Sequence, residues 1–297
     1  MVTAGTRLPI DVRTAGKRPG VARISHGVIV ALLVIGGLVC LAPFFWLLRS
    51  SFMDEAQIFA TPPMWIPDPF TIENYVDGLR SQPFFGYFLN TMTLELIVVP
   101  GILFTCSLAA FAFGRLRWRG RDVVFGVLMS GLMLPYAATL VPTFIGWERL
   151  GLIDTYVPLT LPAWFAGAGG GMASVFLLRQ FFRTIPRDLD EAAYLDGASP
   201  MRVYLQIIVP LSKPALLVVG VFTFFAVWND FLNPLVYISD GAKFTLALGL
   251  AAFKGTFSSE WGYLMAASTV VTLPVTVLFF VAQRQLLAGI ALTGLKD

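Results

Sequence analysis

Charge is scarce in this chain. Of its 297 residues, 13% are Asp, Glu, Lys or Arg, 57% are hydrophobic, and the mean hydropathy is +0.75. Too few charged groups remain to cover a water-facing surface, which argues against a soluble globular domain and for a membrane protein. Histidine is nearly missing as well. His26 stands alone, and no nucleophile has a base and an orienting acid nearby in sequence, so an enzyme finds no support and no catalytic residue is assigned. The two cysteines, Cys40 and Cys106, sit singly inside apolar runs without CxxC or Cys/His spacing. A disulfide framework and a metal site are therefore not expected. The chain also lacks a GxxxxGK(S/T) run, so it has no phosphate-cradling loop of its own. Its net charge is only +3, with no basic stripe interleaved with aromatics, and nucleic acid is not an expected partner.

What is abundant is long apolar sequence. A bilayer core needs about 20 apolar residues per helix, and six runs qualify: Gly27 to Leu48, Phe88 to Phe113, Val123 to Trp147, Tyr156 to Leu178, Ala215 to Ile238 and Tyr263 to Ala282. The first follows Arg7, Arg13, Lys17, Arg18 and Arg23, as a signal peptide would. It is nevertheless long enough to span and no small-residue cleavage pattern follows it, so an uncleaved first helix is expected. Six spans put both termini on one side. Sixteen of the Lys and Arg residues fall on that side, including Arg115, Arg117, Arg119, Arg121, Arg179, Arg183, Arg187 and Arg202, against five on the other. Basic residues near span ends are retained in the cytoplasm. Both termini and the segment between the fourth and fifth spans are thus expected to be cytoplasmic. Ser50 to Gly86 and Ser239 to Gly262 would face outward.

Inside the spans, LPYAATLVP (Leu134 to Pro142) and GAGGG (Gly167 to Gly171) would weaken a soluble helix. In a membrane such residues allow close helix approach, or kinks where neighbours satisfy the backbone. Two acids fall within spans. Glu95 lies near one end of its run, within reach of headgroups, whereas Asp230 lies in WNDFLN with Asn229 and Asn233 beside it. Asn229 and Asn233 share a face if the helix is regular. That polar face, with Trp228 near, suits a sugar path, because hydroxyls need donors and acceptors; it suits interhelical hydrogen bonding equally well.

Between the fourth and fifth spans the chain reads RQFFRTIPRDLDEAAYLDGASPMRVYLQIIVPLSKPA. Pro186, with Asp188, Asp190 and Glu191 close behind, marks a helix start, and Gly197 marks its stop. Ser199 and Pro200 begin a second helix that Pro210 and Pro214 limit. The expected form is helix, glycine bend, helix. Ala192, Ala193, Gly197 and Ala198 are small enough for another protein's surface to approach the backbone, with Glu191, Asp196 and Arg202 to orient it; a solvated connector is the alternative.

Glu191, Ala192, Ala193, Gly197, Ile207 and Pro210 fall at the spacing of the EAA signature of bacterial ABC importer membrane subunits, with Val209 where leucine is usual. Phe176 to Ser199, FFAVWNDFLNPLVY (Phe224 to Tyr237) and Trp261 to Asp297 are similar to carbohydrate importer subunits of the kind represented by the smaller membrane subunit of the maltose permease. The resemblance implies an all-α type I ABC importer permease. It would comprise a cytoplasmic segment (1–26), a six-helix transmembrane domain (27–286) carrying a coupling loop (183–213), and a cytoplasmic tail (287–297).

The same resemblance implies that Glu191, Ala192, Ala193, Asp196, Gly197, Ala198, Ser199 and Arg202 dock against a cytoplasmic ATPase. Two copies of that partner would bind the ATP and Mg, and this chain would hold no cofactor. Gly294 and Lys296, in ALTGLKD, would touch the ATPase pair, although Asp297 replaces the usual second glycine. Ser259, Glu260 and Trp261 would face an external solute-binding protein, unless Trp261 is an interfacial anchor. A second, homologous permease subunit would complete a heterodimer in the bacterial inner membrane. A self-sufficient secondary transporter is the competing reading, but only Glu95 and Asp230 are available as buried titratable groups and no internal repeat is visible.

Overall fold

The computed structural model describes residues 26–167, 170–254 and 260–294, with side chains through 283. The chain divides into two compact units, 1–46 and 47–297. Of the first, the described part is most of α1 (His26–Ser50), 25 residues rich in Val, Leu and Ile that also runs into the second unit. At 1.5 Å per residue it is about 37 Å long, enough for a hydrocarbon core of roughly 30 Å.

The second unit opens with two short helices, α2 (Glu55–Ile58) and α3 (Glu73–Ser81). Asp54 caps α2 by accepting the Gln57 amide at 2.8 Å. Asn74 ties α3 back by donating to the carbonyls of Ser51 (3.1 Å) and Met53 (2.8 Å). The central element is α4 (Phe84–Gly114). Its buried residues Tyr87, Thr91, Leu94, Val98, Ile102, Cys106, Ala110 and Phe113 recur every three or four positions, so one stripe faces inward along the whole helix.

Two shorter pairs follow. The first is α5 (Arg121–Ser130) with α6 (Tyr136–Arg149), and the second is α7 (Val157–Trp164) with α8 (Gly171–Thr184). Val175, Leu178 and Phe182 of α8 pack into the core around Ile102, Cys106 and Ala110. Trp164 of α7 lies so close to α4 that a Cβ on Gly101 would come within 2.5 Å of the indole nitrogen; only glycine fits there. The helices α9 (Asp188–Leu195) and α10 (Pro200–Val203) come next. A π-helical turn over Tyr204–Ile208 leads to α11 (Val209–Leu211). The chain then returns along α12 (Lys213–Trp228), passes through α13 (Leu232–Tyr237) and α14 (Leu246–Ala251), and ends in α15 (Trp261–Gly294).

Among the described residues, Gly27–Ser50, Phe84–Gly114 and Trp261–Gln283 are long and apolar enough to cross a membrane unaided; counting two bent pairs as spans gives five. One pair, 121–133 with 136–149, turns by 98° at Leu134 and Pro135, where a proline restrains its predecessor from the helical region. The other, 200–211 with 213–228, turns by 77° at Ser212.

The expected continuous span Tyr156 to Leu178 is instead two helices. They part over Phe165–Gly170, where Ala166 and Gly170 take left-handed backbone (φ 59° and 77°). Likewise Ala215 to Ile238 stops at Trp228 and restarts at Leu232. Residues 1–25, Ala168, Gly169, Ser258, Ser259 and Lys296, all named from sequence, lie outside the described residues, as does the side-chain environment of the last turns of α15.

Candidate functional site

The helix–bend–helix expected between 183 and 213 is built by local rules. Asp188, Asp190 and Glu191 occupy the first turn of α9, where acids suit the positive end of the helix dipole. Gly197, at φ +81°, ends it in a Schellman arrangement: the Ala198 amide donates to Ala193 O (2.9 Å) and the Gly197 amide to Tyr194 O (3.0 Å). Ser199 then caps α10 by accepting the Arg202 amide at 3.3 Å.

Glu191, Ala192, Asp196, Gly197, Ser199 and Arg202 are all exposed, as is Leu195, 88% exposed at the tip. Ala193 and Ala198 are not part of this outer face. They are half-buried and pack against the main core on one side, so their small size lets α9 sit close to the bundle.

Sequence reasoning missed what holds this loop. Arg115, the residue after α4, extends a guanidinium whose side chain is 1% exposed, and its Nε donates to Asp190 Oδ2 at 2.8 Å. Its other nitrogens donate to the carbonyls of Phe182 (3.0 Å), Ile185 (2.6 Å) and Pro186 (3.1 Å), which closes the end of α8. Arg179 of α8 does the reverse. It donates to Phe113 O at the end of α4 (3.1 Å) and to Asp122 (3.2 Å), and lies 4.0 Å above the Phe125 ring. The end of α4 and the end of α8 thus hold each other, and α9 hangs from the join. A clue stood in FLLRQFF, where Arg179 interrupts an apolar stretch and so needs a partner. For Arg115, one of the four arginines that alternate with other residues from 115 to 121, no such signal exists.

The WNDFLN residues do not share one helical face. α12 stops at Trp228, and Asn229 bends back to donate to Phe225 O at 2.8 Å. Asp230 accepts the Asn233 amide (3.2 Å) and its side-chain nitrogen (2.8 Å), and Tyr136 of α6 donates to Asn233 Oδ1 at 2.5 Å. Asp230 and Asn233 line a small cavity of about 60 Å³ with Leu94, Val98 and Ala163. Glu95 is not at a headgroup-facing end. It is buried in the α4 stripe, 5% exposed, and neither carboxylate oxygen has a hydrogen-bond partner among the described residues.

At the other end of α4 is a second polar knot. Asp154, in left-handed backbone (φ 60°), accepts the amides of Ser239 and Asp240 at 2.9 Å each and the Lys243 ammonium at 2.6 Å. Lys243 also donates to Asp154 O, and Asn90 of α4 donates to Ala242 O (2.8 Å) and Phe244 O (3.0 Å). The Lys243 hydrogen bond, followed by the two amides, pulls the Asp154 carboxyl down to about 2, and the same bond raises the Lys243 ammonium. Glu260 is exposed, and Trp261 packs edge-on against Phe59 at 5.8 Å, so its ring is engaged within the chain.

An exposed helical elbow carried on a bundle of long apolar helices is the architecture of a membrane-embedded component. Residues 101–291 match the family described as binding-protein-dependent transport system inner membrane component. The chain is 33% identical over 281 residues to the sn-glycerol-3-phosphate transport system permease protein UgpE of Escherichia coli, covering 92% of this chain and 97% of that one. It is 30% identical over 279 residues to the diacetylchitobiose uptake system permease protein NgcG of Streptomyces coelicolor, covering 91% and 87%. A bacterial ABC transporter that imports the acidic polysaccharide alginate shares the fold, with a TM-score of 0.77 at 22% identity over 90% of this chain and 99% of that chain. The chain therefore belongs to the inner-membrane components of binding-protein-dependent transport systems, and it is a permease subunit of an ABC importer rather than an enzyme.

Proposed function

We propose that the chain forms half of the translocation pathway for a sugar or related polyol and couples inward movement of that cargo to ATP hydrolysis by a separate subunit. The carrying observation is the Arg115–Asp190 pair, because it joins the exposed α9 elbow to α4, the helix on which the rest of the core is assembled. A push on the elbow is then delivered to the bundle. In this reading Glu191, Ala192, Asp196, Gly197, Ser199 and Arg202 receive one of two ATPase copies on the cytoplasmic side, with both termini there. Gly294 and Lys296 meet the ATPase pair. Asp230 and Asn233 line the path, and a second permease subunit supplies its other wall. Ser259 and Glu260 face an external solute-binding protein.

The sugar class is supported by the printed activities of the relatives, diacetylchitobiose and sn-glycerol-3-phosphate uptake among them, and by a solved alginate importer in complex with a periplasmic protein that carries an alginate pentasaccharide. A secondary transporter is not favoured by these likenesses. The test is reconstitution of the chain with its ATPase, second permease and binding protein. Glu191→Lys is expected to leave membrane insertion intact while uncoupling ATP hydrolysis from uptake. Wild-type uptake by this variant would reduce the loop to a connector, and accumulation of cargo by the chain alone would overturn the reading altogether.

A further inference from the structure

The stretch Arg115–Asp122 leaves a positively charged rim that the function above does not use. Arg117, Trp118 and Arg119 are exposed, and an open groove of about 320 Å³ lies beside them, lined by Arg117, Trp118, Gly120, Arg121, Asp122 and Val123. Asp122, the acid in this groove, is already taken by Arg121 (3.1 Å) and Arg179 (3.2 Å). Arg183 lies close enough to act on Asp122 and Arg179 electrostatically, and Arg187 shares a second groove with Arg117. The acids of that second groove are Asp190, paired with Arg115, and Glu191. Arg117, Arg119, Arg183 and Arg187 are exposed, and their guanidinium groups make no hydrogen bond or ion pair among the described residues.

Directly next to this rim the surface changes character. Val123 (72% exposed) and Val127 (67%) are one helical turn apart on α5 and form an outward apolar ridge. An apolar ridge, a tryptophan and a band of guanidinium groups side by side are the side-chain classes that meet acyl chains, interface and headgroups at a membrane surface. Guanidinium groups match phosphate oxygens in pairs, which a zwitterionic surface rewards less because its phosphate is accompanied by a cation.

We propose that the rim formed by Arg117, Arg119, Arg183 and Arg187, with Trp118, is a binding site for the phosphate headgroups of anionic phospholipids. It holds the α4–α5 turn, and through Arg179 and Arg115 the end of α8, at the bilayer surface. The reading needs only that the chain sits in a membrane, although the rim borders the proposed coupling face where Arg117 and Arg187 share a groove with Glu191.

The purified full chain in detergent is titrated with phosphatidylglycerol and, separately, with phosphatidylcholine, and retained lipid is counted by native mass spectrometry. Preference for phosphatidylglycerol is expected. It should weaken about ten-fold in R117Q/R119Q and again in R183Q/R187Q, and should fade as NaCl rises from about 0.05 M to about 0.5 M. An R80Q/K254Q variant, which removes two exposed cations elsewhere, should keep it. Equal retention of the two lipids by the wild type, or an undiminished preference when all four arginines are replaced, overturns the proposal. So does inorganic phosphate that competes as well as the lipid, which would make the rim a general anion site. Loss of ATPase co-purification in the quadruple variant with lipid preference intact would assign the rim to a protein partner and overturn it too. Unchanged elution and thermal midpoint of the variants in lipid-free detergent confirm that they are folded.

Discussion

The two ends of α4 carry two ion-pair knots that work by different physics. At one end Arg115 and Asp190 meet with side chains 1% and 10% exposed; at the other Lys243 and Asp154 meet with side chains 38% and 33% exposed. The buried pair has almost no water to compete with, so Asp190 depends on Arg115, and Arg115 on Asp190 and three carbonyls. The exposed pair draws little from charge alone. It is fixed by the number of bonds converging on Asp154, two from amides and one from the ammonium, with Asn90 adding two more to the same loop. Roughly 37 Å of helix separates Asn90 from Arg115 at 1.5 Å per residue. One end is a buried joint between α4, the end of α8 and α9, and the other is a fastening that keeps a loop in place.

Breaking the buried joint should have the largest effect. Asp190→Ala, which strands the Arg115 charge, is expected to cost about 3–5 kcal/mol, read as a lowered thermal midpoint and faster hydrogen exchange across 183–213. A cost near that of an exposed pair would erase the contrast. Gly101→Val tests the helix between the knots. The added side chain meets Trp164, and overpacking of about 1–3 kcal/mol is expected, with both ends of α4 loosened in exchange. Ser199→Ala removes a cap at the elbow and should cost about 1 kcal/mol, with the change confined to α10.

The exposed knot should respond to pH instead. Because the folded Asp154 carboxyl is held down near 2, its contribution is complete above the ordinary carboxylate value and is lost as pH falls toward about 2. The raised Lys243 ammonium gives the mirror case. Its contribution is complete below the ordinary lysine value and lost as pH rises through the raised one. A spin label at Gly241 should become more mobile in acid, and Asp154→Asn should be mobile at every pH. A label equally fixed at pH 2 and pH 7 would mean that the amides of Ser239 and Asp240 need no anion.

The long apolar helices were legible because length and hydropathy alone specify α1, α4 and α15. The elbow was legible because Pro186, Gly197 and Ser199 are local punctuation. What stayed hidden needed tertiary partners. Arg115 and Asp190 are 75 positions apart, and no period links them. Asn229 and Asn233 have helical spacing, yet Asp230 draws the Asn233 amide to itself and the helix breaks between them. Phe165–Gly170 reads as a span interior by hydropathy, but Ala166 and Gly170 take left-handed backbone there. Glu95, a few residues into its run, was placed at a surface that burial along α4 does not provide.

The π-helical turn at Tyr204–Ile208 has a consequence for how the elbow is aimed. Its Tyr204 hydroxyl meets Ser107 of α4 at 2.6 Å, so the wide turn is pinned where it begins. A π turn holds one residue more than an α turn would, and each residue of an α-helix sweeps about 100°. Deleting a single residue between Leu205 and Ile208 would therefore turn α10 by about a quarter-turn relative to α11, against the hold that Arg115 keeps on α9. The aim of α10 is stored as one surplus residue.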